Sequence, residues 1–413
     1  MLNTSFSPWP SFSEAEGELV KAVLLSNKVN YWTGSECREF EREFADWAGT
    51  KHAVALANGT LALDAALHAL GVGCGDEVIV TPRSFIASAS CVVNAGAKPV
   101  FADVDRETQN INAATIAAVL TERTKAVICV HLAGMPCDMD PIMELARKHN
   151  FSVIEDCAQA HGARYKGRSV GSIGHIGAWS FCQDKIMTTG GEGGMVTCND
   201  DRWWDRIWSR KDHGKSWDAM HSVRQRKGVF SWVHDSFGTN WRMLELQAAL
   251  GRYQLRQVAD WTASRTAHAR RLAASCAPFD VVRIPAVPQG ITHAYYKFYA
   301  FVRPEKLAAG WTRDRILEEI NAHGVPCQQG SCPEIYLEQA FDGTGLRPAR
   351  PLPAARELGE TSLMLLVHPT LSEAEIALSC AVLRQVLSAA SSADESFTSH
   401  PETVPDYCAT RSQ

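Results

Sequence analysis

The sequence has no block of basic residues, no uninterrupted apolar run of membrane-spanning length and no repeating cysteine pattern. Its 413 residues carry 41 Lys and Arg against 46 Asp and Glu, a formal net charge of −5 with both signs spread along the chain. A nucleic-acid protein clusters its cations on one face, and a membrane helix needs about 20 consecutive apolar residues. Neither nucleic acid nor membrane is therefore expected as a partner. The first residues, MLNTSFSPWPSF, lack the basic start and apolar core of a secretory leader. Thirteen cysteines, an odd number without regular spacing, suit reduced thiols in the cytoplasm better than a disulfide framework. Cys327 and Cys332 stand too far apart for a CxxC pair, and no histidines stand at metal-finger spacing, so no metal site is expected.

What is present points to a globular α/β protein. Apolar residues make up 46% and charged residues 21%, and the length exceeds one ordinary core, which predicts two domains. Short apolar runs alternate with amphipathic stretches: His52 to Leu56, Val78 to Pro82, Lys98 to Asp105 and Lys125 to His131 read as strands. Helical patterns lie between them, over Cys37–Trp47, Leu61–Leu70 and Asn112–Leu120. Repeats of this kind predict a mostly parallel sheet covered on both faces. From about Asp260 the pattern shifts to a smaller α+β unit, with a strand near Thr361 to His368 and a last helix over Glu373–Leu387. The expected divisions are an arm over 1–33, a large domain over 34–259, a small domain over 260–387, and a disordered tail rich in Ser, Ala, Pro and Thr over 388–413.

Two stretches carry the chemistry. In Ala178 to Gly194, AWSFCQDKIMTTGGEGG, Lys185 sits between an apolar run and a loop with four glycines. A lone lysine is usually a solvated charge, but glycines admit close backbone approach to a ligand. A desolvated lysine becomes an amine nucleophile that condenses with an aldehyde cofactor. In Phe151 to Ala163, FSVIEDCAQAHGA, a buried-strand pattern stops in Asp156. Ligands of open α/β sheets bind beyond the carboxyl ends of strands, so Asp156 is aimed at a pocket. A pyridine-based electron sink needs both groups, a carboxylate at the ring nitrogen and a lysine. A strand, the turn Asn58-Gly59-Thr60 and a helix start make an anion site in which free N–H groups and the helix dipole agree. The plain alternative is an N-cap on Asn58 or Thr60. Beside Lys185 and Asp156, a cofactor phosphate at Gly59 and Thr60 is favoured.

The pair EDCAQAHGA and SFCQDKIMTTGGEGG resembles the DegT/StrS-type sugar aminotransferases over most of the chain, from about Gly34 to about Pro369. The resemblance implies fold type I of the pyridoxal-phosphate transferases, with a mostly parallel seven-stranded sheet between helices and a smaller C-terminal domain. It implies pyridoxal 5′-phosphate covalent on Lys185, Phe85 stacked on the ring, Gln159 at the phenolic oxygen and Ser180 at the phosphate. The segment Gly238 to Met243, GTNWRM, is similar to the family's GxNxRM, whose asparagine reaches the phosphate in the neighbouring subunit. Asn240 therefore implies a homodimer, with an N-terminal arm that packs on the main domain near the partner. The implied reaction moves an amino group from glutamate to a keto-sugar, a nucleotide-linked one being expected, in polysaccharide or glycoside biosynthesis. Relatives that aminate carbocyclic ketones or make aminobenzoates are an alternative, and a non-catalytic regulator of the same fold is a more distant one. The loop Pro326 to Pro333, PCQQGSCP, departs from the tyrosine- and proline-rich stretch of many members, so the resemblance leaves the substrate open. Five tryptophans between 201 and 238 are expected to pack a helix and a long loop, and His161 is either packed or a partner of a site residue.

Overall fold

The structure, a computed structural model, describes residues 6–221 and 230–391. Seven strands form the central sheet: β1 (His52–Leu56), β2 (Glu77–Val80), β3 (Lys98–Phe101), β4 (Thr124–Val130), β5 (Ser152–Asp156), β6 (Ile176–Ser180) and β7 (Gly194–Cys198). Their spatial order is β1-β7-β6-β5-β4-β2-β3. All neighbours pair in parallel except those of β7, which runs against both β1 and β6. The expected mostly parallel sheet of seven strands is what the chain builds. Its middle strands are buried on both faces, as their unbroken Val, Ile and Ala runs require.

Helix α1 (Glu14–Leu25) begins on a capping box in which Ser13 and Glu16 bond each other's backbone. Helix α2 (Glu36–Ala48) turns Phe40 and Phe44 inward and stops at Gly49, whose φ of 71° suits a residue without Cβ. Phe44 meets Trp179 and Phe181 at ring centroids of 5.2 and 5.6 Å, which ties this helix to β6 and the loop behind it. Helix α3 (Gly59–Ala69) follows β1 directly, and its alanine-rich faces let it lie against the sheet.

The chain after the helix Val258–Cys276 forms a second sheet of Val282–Arg283, Phe298–Val302, Ser362–Leu365 and Cys327–Gln328. These strands pair antiparallel over a core that includes Leu272, Ile316 and Leu383. Phe6 from the arm joins that core. The last helix is Glu373–Ser391 and does not stop at Leu387, because Ala390 still has a buried face to occupy. Residues 388–391, expected in a tail, are thus helical, and 392–413 lie outside the described residues. This helix is long and apolar enough to cross a membrane by length and composition, yet Ile376, Val382, Leu383 and Val386 are spent on the core. The tryptophan-rich segment packs only in part. Trp208 is buried against Trp204 and Trp217, whereas Trp232 is 87% exposed. The stretch at 222–229 is outside the described residues.

Candidate active site

A cavity of about 780 Å³ opens at the carboxyl ends of the parallel strands. It brings together Gly59, Thr60, Phe85, Asp156, Gln159, Ser180 and Lys185, seven of the eight residues singled out in the sequence. Asn240 is exposed and lies outside this chain's cavity, its backbone bridged to Asp212.

Asp156 ends β5, opposite Val130 on one side and Ala178 on the other, so its carboxylate leaves the sheet into the cavity. One oxygen accepts the Ala158 N–H at 3.1 Å and the other the Ser88 hydroxyl at 3.2 Å. Burial raises its pKa above the ordinary value, against those two bonds and the charge of Lys185. Among the described residues no cation lies within ion-pair distance of it. A buried carboxylate left in this state is completed by a ligand group that brings a positive charge.

Lys185 lies in the loop between β6 and β7, its side chain 17% exposed. Its backbone is fixed at both ends: the N–H donates to the Cys182 carbonyl at 3.1 Å, and the carbonyl accepts the Trp9 indole N–H at 2.8 Å. The loop is pinned further by Thr188, whose N–H donates to Gln254 and whose hydroxyl donates to the Phe181 carbonyl. The amine lies 3.9 Å from an Asp184 oxygen and 5.1 Å from the Tyr296 ring centroid. The Tyr296 hydroxyl donates to Asp184.

At the other wall, Asn58 caps α3 by accepting the Leu61 N–H at 3.0 Å. The cap and the anion site are therefore compatible, because the N–H groups of Gly59 and Thr60 precede the helix's own ladder. A Cβ on Gly59 would stand 2.5 Å from the Ser180 Cβ, so the helix start and the Ser180 hydroxyl form one cradle that only glycine allows. Phe85 is 69% exposed, a large apolar face in the cavity wall. Gln159 gives its carbonyl oxygen to the Ala133 N–H at 2.8 Å, which leaves its NH₂ to donate.

Two neighbours are structural. His161 is fully buried between Trp179 and Phe181, and burial, with Lys185 and Arg265 nearby, pushes it down to about 3. It is the packed histidine of the two readings. His131, Glu155 and Cys157 cluster as metal ligands would, but their atoms are engaged elsewhere. His131 Nδ1 accepts the Cys137 N–H and Nε2 meets Glu155 at 3.0 Å, while Glu155 accepts N–H groups of Gly171, Ile173 and Gly174.

Sequence reasoning missed Trp9, Asp184, Tyr296 and Lys297. Asp184 was adjacent to the lysine and open to inspection. The others arrive from 112 or more positions away, and only the cluster Tyr295-Tyr296-Lys297 in a strand-like run offered a signal.

Known proteins resemble this chain over most of its length. The model of the DegT/DnrJ/EryC1/StrS aminotransferase family matches residues 10–384. The GDP-perosamine synthase of Caulobacter vibrioides is 40% identical over 353 residues, 84% of this chain and 89% of that one. The UDP-N-acetyl-3-dehydro-alpha-D-glucosamine 3-aminotransferase of Acidithiobacillus ferrooxidans is 36% identical over 382 residues, 91% and 95%. An aminotransferase from Psychrobacter cryohalolentis, known by X-ray structure, superposes with a TM-score of 0.91 at 60% identity, covering 93% of this chain and 99% of its own.

Proposed function

The chain belongs to the DegT/DnrJ/EryC1/StrS aminotransferase family, and from that premise we propose that it moves an amino group from glutamate to a nucleotide-linked keto-sugar with pyridoxal phosphate covalent on Lys185. One observation carries the reading: a single cavity sets the Lys185 amine, the buried Asp156 carboxylate and the Gly59–Thr60–Ser180 cradle around one space. That set fits the cofactor, since each group is incomplete without it: a carboxylate lacking a cation, helix N–H groups lacking an anion, and an exposed phenylalanine face lacking a cover. When bound, pyridoxal phosphate supplies the electron sink that drains charge from the donor's α carbon.

The chain's own residues do the rest. Asp156 would hold a proton on the ring nitrogen, Phe85 would cover the ring, and Gln159 would donate to the phenolic oxygen. Gly59, Thr60 and Ser180 would hold the phosphate. The Lys185 amine would take the proton from the donor's α carbon, a service that typically contributes roughly 10²–10⁴-fold. Two relatives are named for GDP- and UDP-linked sugars, which supports a nucleotide-sugar acceptor here. We read the enzyme as a homodimer with Asn240 reaching the partner's cofactor phosphate. Exposed Phe230, Trp232 and Phe237 near Asn240 in the chain support a covered face there. The twelve free thiols among the described residues support a cytoplasmic setting. The test is to purify the protein with its cofactor and add glutamate, then a panel of keto-sugar nucleotides. The cofactor's absorbance changes with glutamate and returns with the true acceptor; a colourless protein that takes up no pyridoxal phosphate refutes the reading.

A further inference from the structure

The cavity holds a second amine. Lys297 lines it alongside Lys185, and its Nζ lies 4.9 Å from the centroid of Tyr296, the same ring that the Lys185 amine meets at 5.1 Å. Among the described residues the Lys297 amine has neither hydrogen bond nor ion pair, only that ring. Burial pushes it down to about 8 against the attraction of Asp184, and Arg265 and Lys185 add like-charge repulsion. Arg265 is buried behind Tyr296, and two of its nitrogens have no partner. Asp184, the carboxylate beside these amines, already accepts the Tyr296 hydroxyl and faces Lys185. Three cations thus surround one engaged anion.

A half-buried ammonium without a counter-ion is costly unless a ligand supplies the missing charge. The cradle for a phosphate lies on the other wall, at Gly59, Thr60 and Ser180. An anion beside Lys297 instead shares the Tyr296 ring with Lys185, on the side of the cavity where the reacting carbon is brought. A sugar's pyrophosphate is separated from its ketone by the ring, whereas a carboxylate can sit on the reacting carbon or close to it. We propose that Lys297 is a substrate-binding residue that pairs with a carboxylate adjoining the reacting carbon, either the α-carboxylate of the amino donor or an acid group on the acceptor sugar. The proposal rests on the transaminase reading for its substrates.

The experiment compares holoenzyme with K297M and K297R, following the absorbance of the bound cofactor. Wild type is titrated with glutamate and with isoglutamine, which has an amide in place of the α-carboxylate. If the donor is the source, K297M raises half-saturation for glutamate by ~30-fold, the scale of an unpaired buried charge partner. It then discriminates little between the two compounds, and K297R recovers most of the loss. If the acceptor is the source, glutamate is unaffected by K297M, but the reverse half-reaction weakens with acidic amino-sugar nucleotides and not with neutral ones. Unchanged half-saturation everywhere, or equal weakening for glutamate and isoglutamine, overturns the proposal. Should wild type show no response to any amino acid, the transaminase reading fails on its own. The site is then judged by calorimetry with maleate, which must bind wild type and not K297M for the proposal to survive.

Discussion

The indole N–H of Trp9 donates to the carbonyl oxygen of Lys185 at 2.8 Å, so the N-terminal arm holds the backbone of the lysine loop from behind. The ring itself is fixed by parts of the chain far from that loop. It lies edge-on to Trp261 at 5.1 Å, stacks near His368, and carries the Arg265 guanidinium 5.0 Å above its centroid. The arm is tied down just before this ring by Thr370 donating to the Pro8 carbonyl and by Ser7 donating to Glu375. One side chain thus links the lysine loop to the C-terminal part of the molecule.

Trp9→Phe keeps the aromatic packing and removes the donor. A neutral hydrogen bond of this kind is worth about 1 kcal/mol, or about fivefold in an equilibrium or rate. The variant is expected to fold and bind cofactor, with kcat lowered by about that factor and the half-saturation for the acceptor unchanged. Steady-state kinetics on both substrates checks it; a wild-type kcat shows that the contact does not position Lys185.

Asp156→Asn has opposite effects with and without cofactor. Burial raises the folded pKa of Asp156, so the stability tied to its protonated form is full at low pH and is lost as pH rises through that raised value. Without cofactor at neutral pH the charged carboxylate is a burden, and the neutral amide should raise the melting temperature. With cofactor the order reverses, and the glutamate half-reaction slows by roughly 10²–10⁴-fold. Thermal melts of both forms across pH 5 to 8, with stopped-flow absorbance, decide the matter. A destabilised cofactor-free variant contradicts the unpaired-carboxylate picture.

The strand skeleton, and the meeting of Asp156 and Lys185 in one cavity, were legible in the sequence because their signals are local. Buried strands read as apolar runs, and Asp156 is the carboxylate on which one of them stops. Glycines after Lys185 mark a loop that must come close to a ligand. Local reasoning stopped where contacts are long-range. Nothing near Trp9 announces that it will touch Lys185, and Tyr296 and Lys297 read as ordinary strand residues until the second sheet folds over the cavity. Trp232 shows the converse, since its bulk suggested packing within the chain, whereas it is 87% exposed there and belongs to the face we assign to the partner. The last helix outran its expected end because alanine and serine, taken as marks of a tail, are also small enough to continue a packed helix.

Glu155→Gln tests the buried network beneath the site. Burial alone would raise this carboxyl, yet His131 and the N–H groups of Gly174 and Gly171 hold it below the ordinary value. A depressed folded pKa gives stability that is present above the unfolded value and lost as pH falls through the folded one. The amide cannot accept every donor aimed at it, and leaving buried donors without their charged acceptor costs about 3 kcal/mol. Urea unfolding of the cofactor-free protein at pH 7 should show that loss, and the gap between variant and wild type should narrow in acid. A gap that persists unchanged at low pH removes the charge from the explanation.

The most direct measurement is to trap the cofactor on the chain. The protein is loaded with pyridoxal phosphate, reduced with borohydride, digested and mapped by mass. A pyridoxyl phosphate adduct on Lys185 alone, absent from K185A and weakened in occupancy by D156N, is the predicted result. An adduct on Lys297 or on surface lysines, or none at all, would contradict the account.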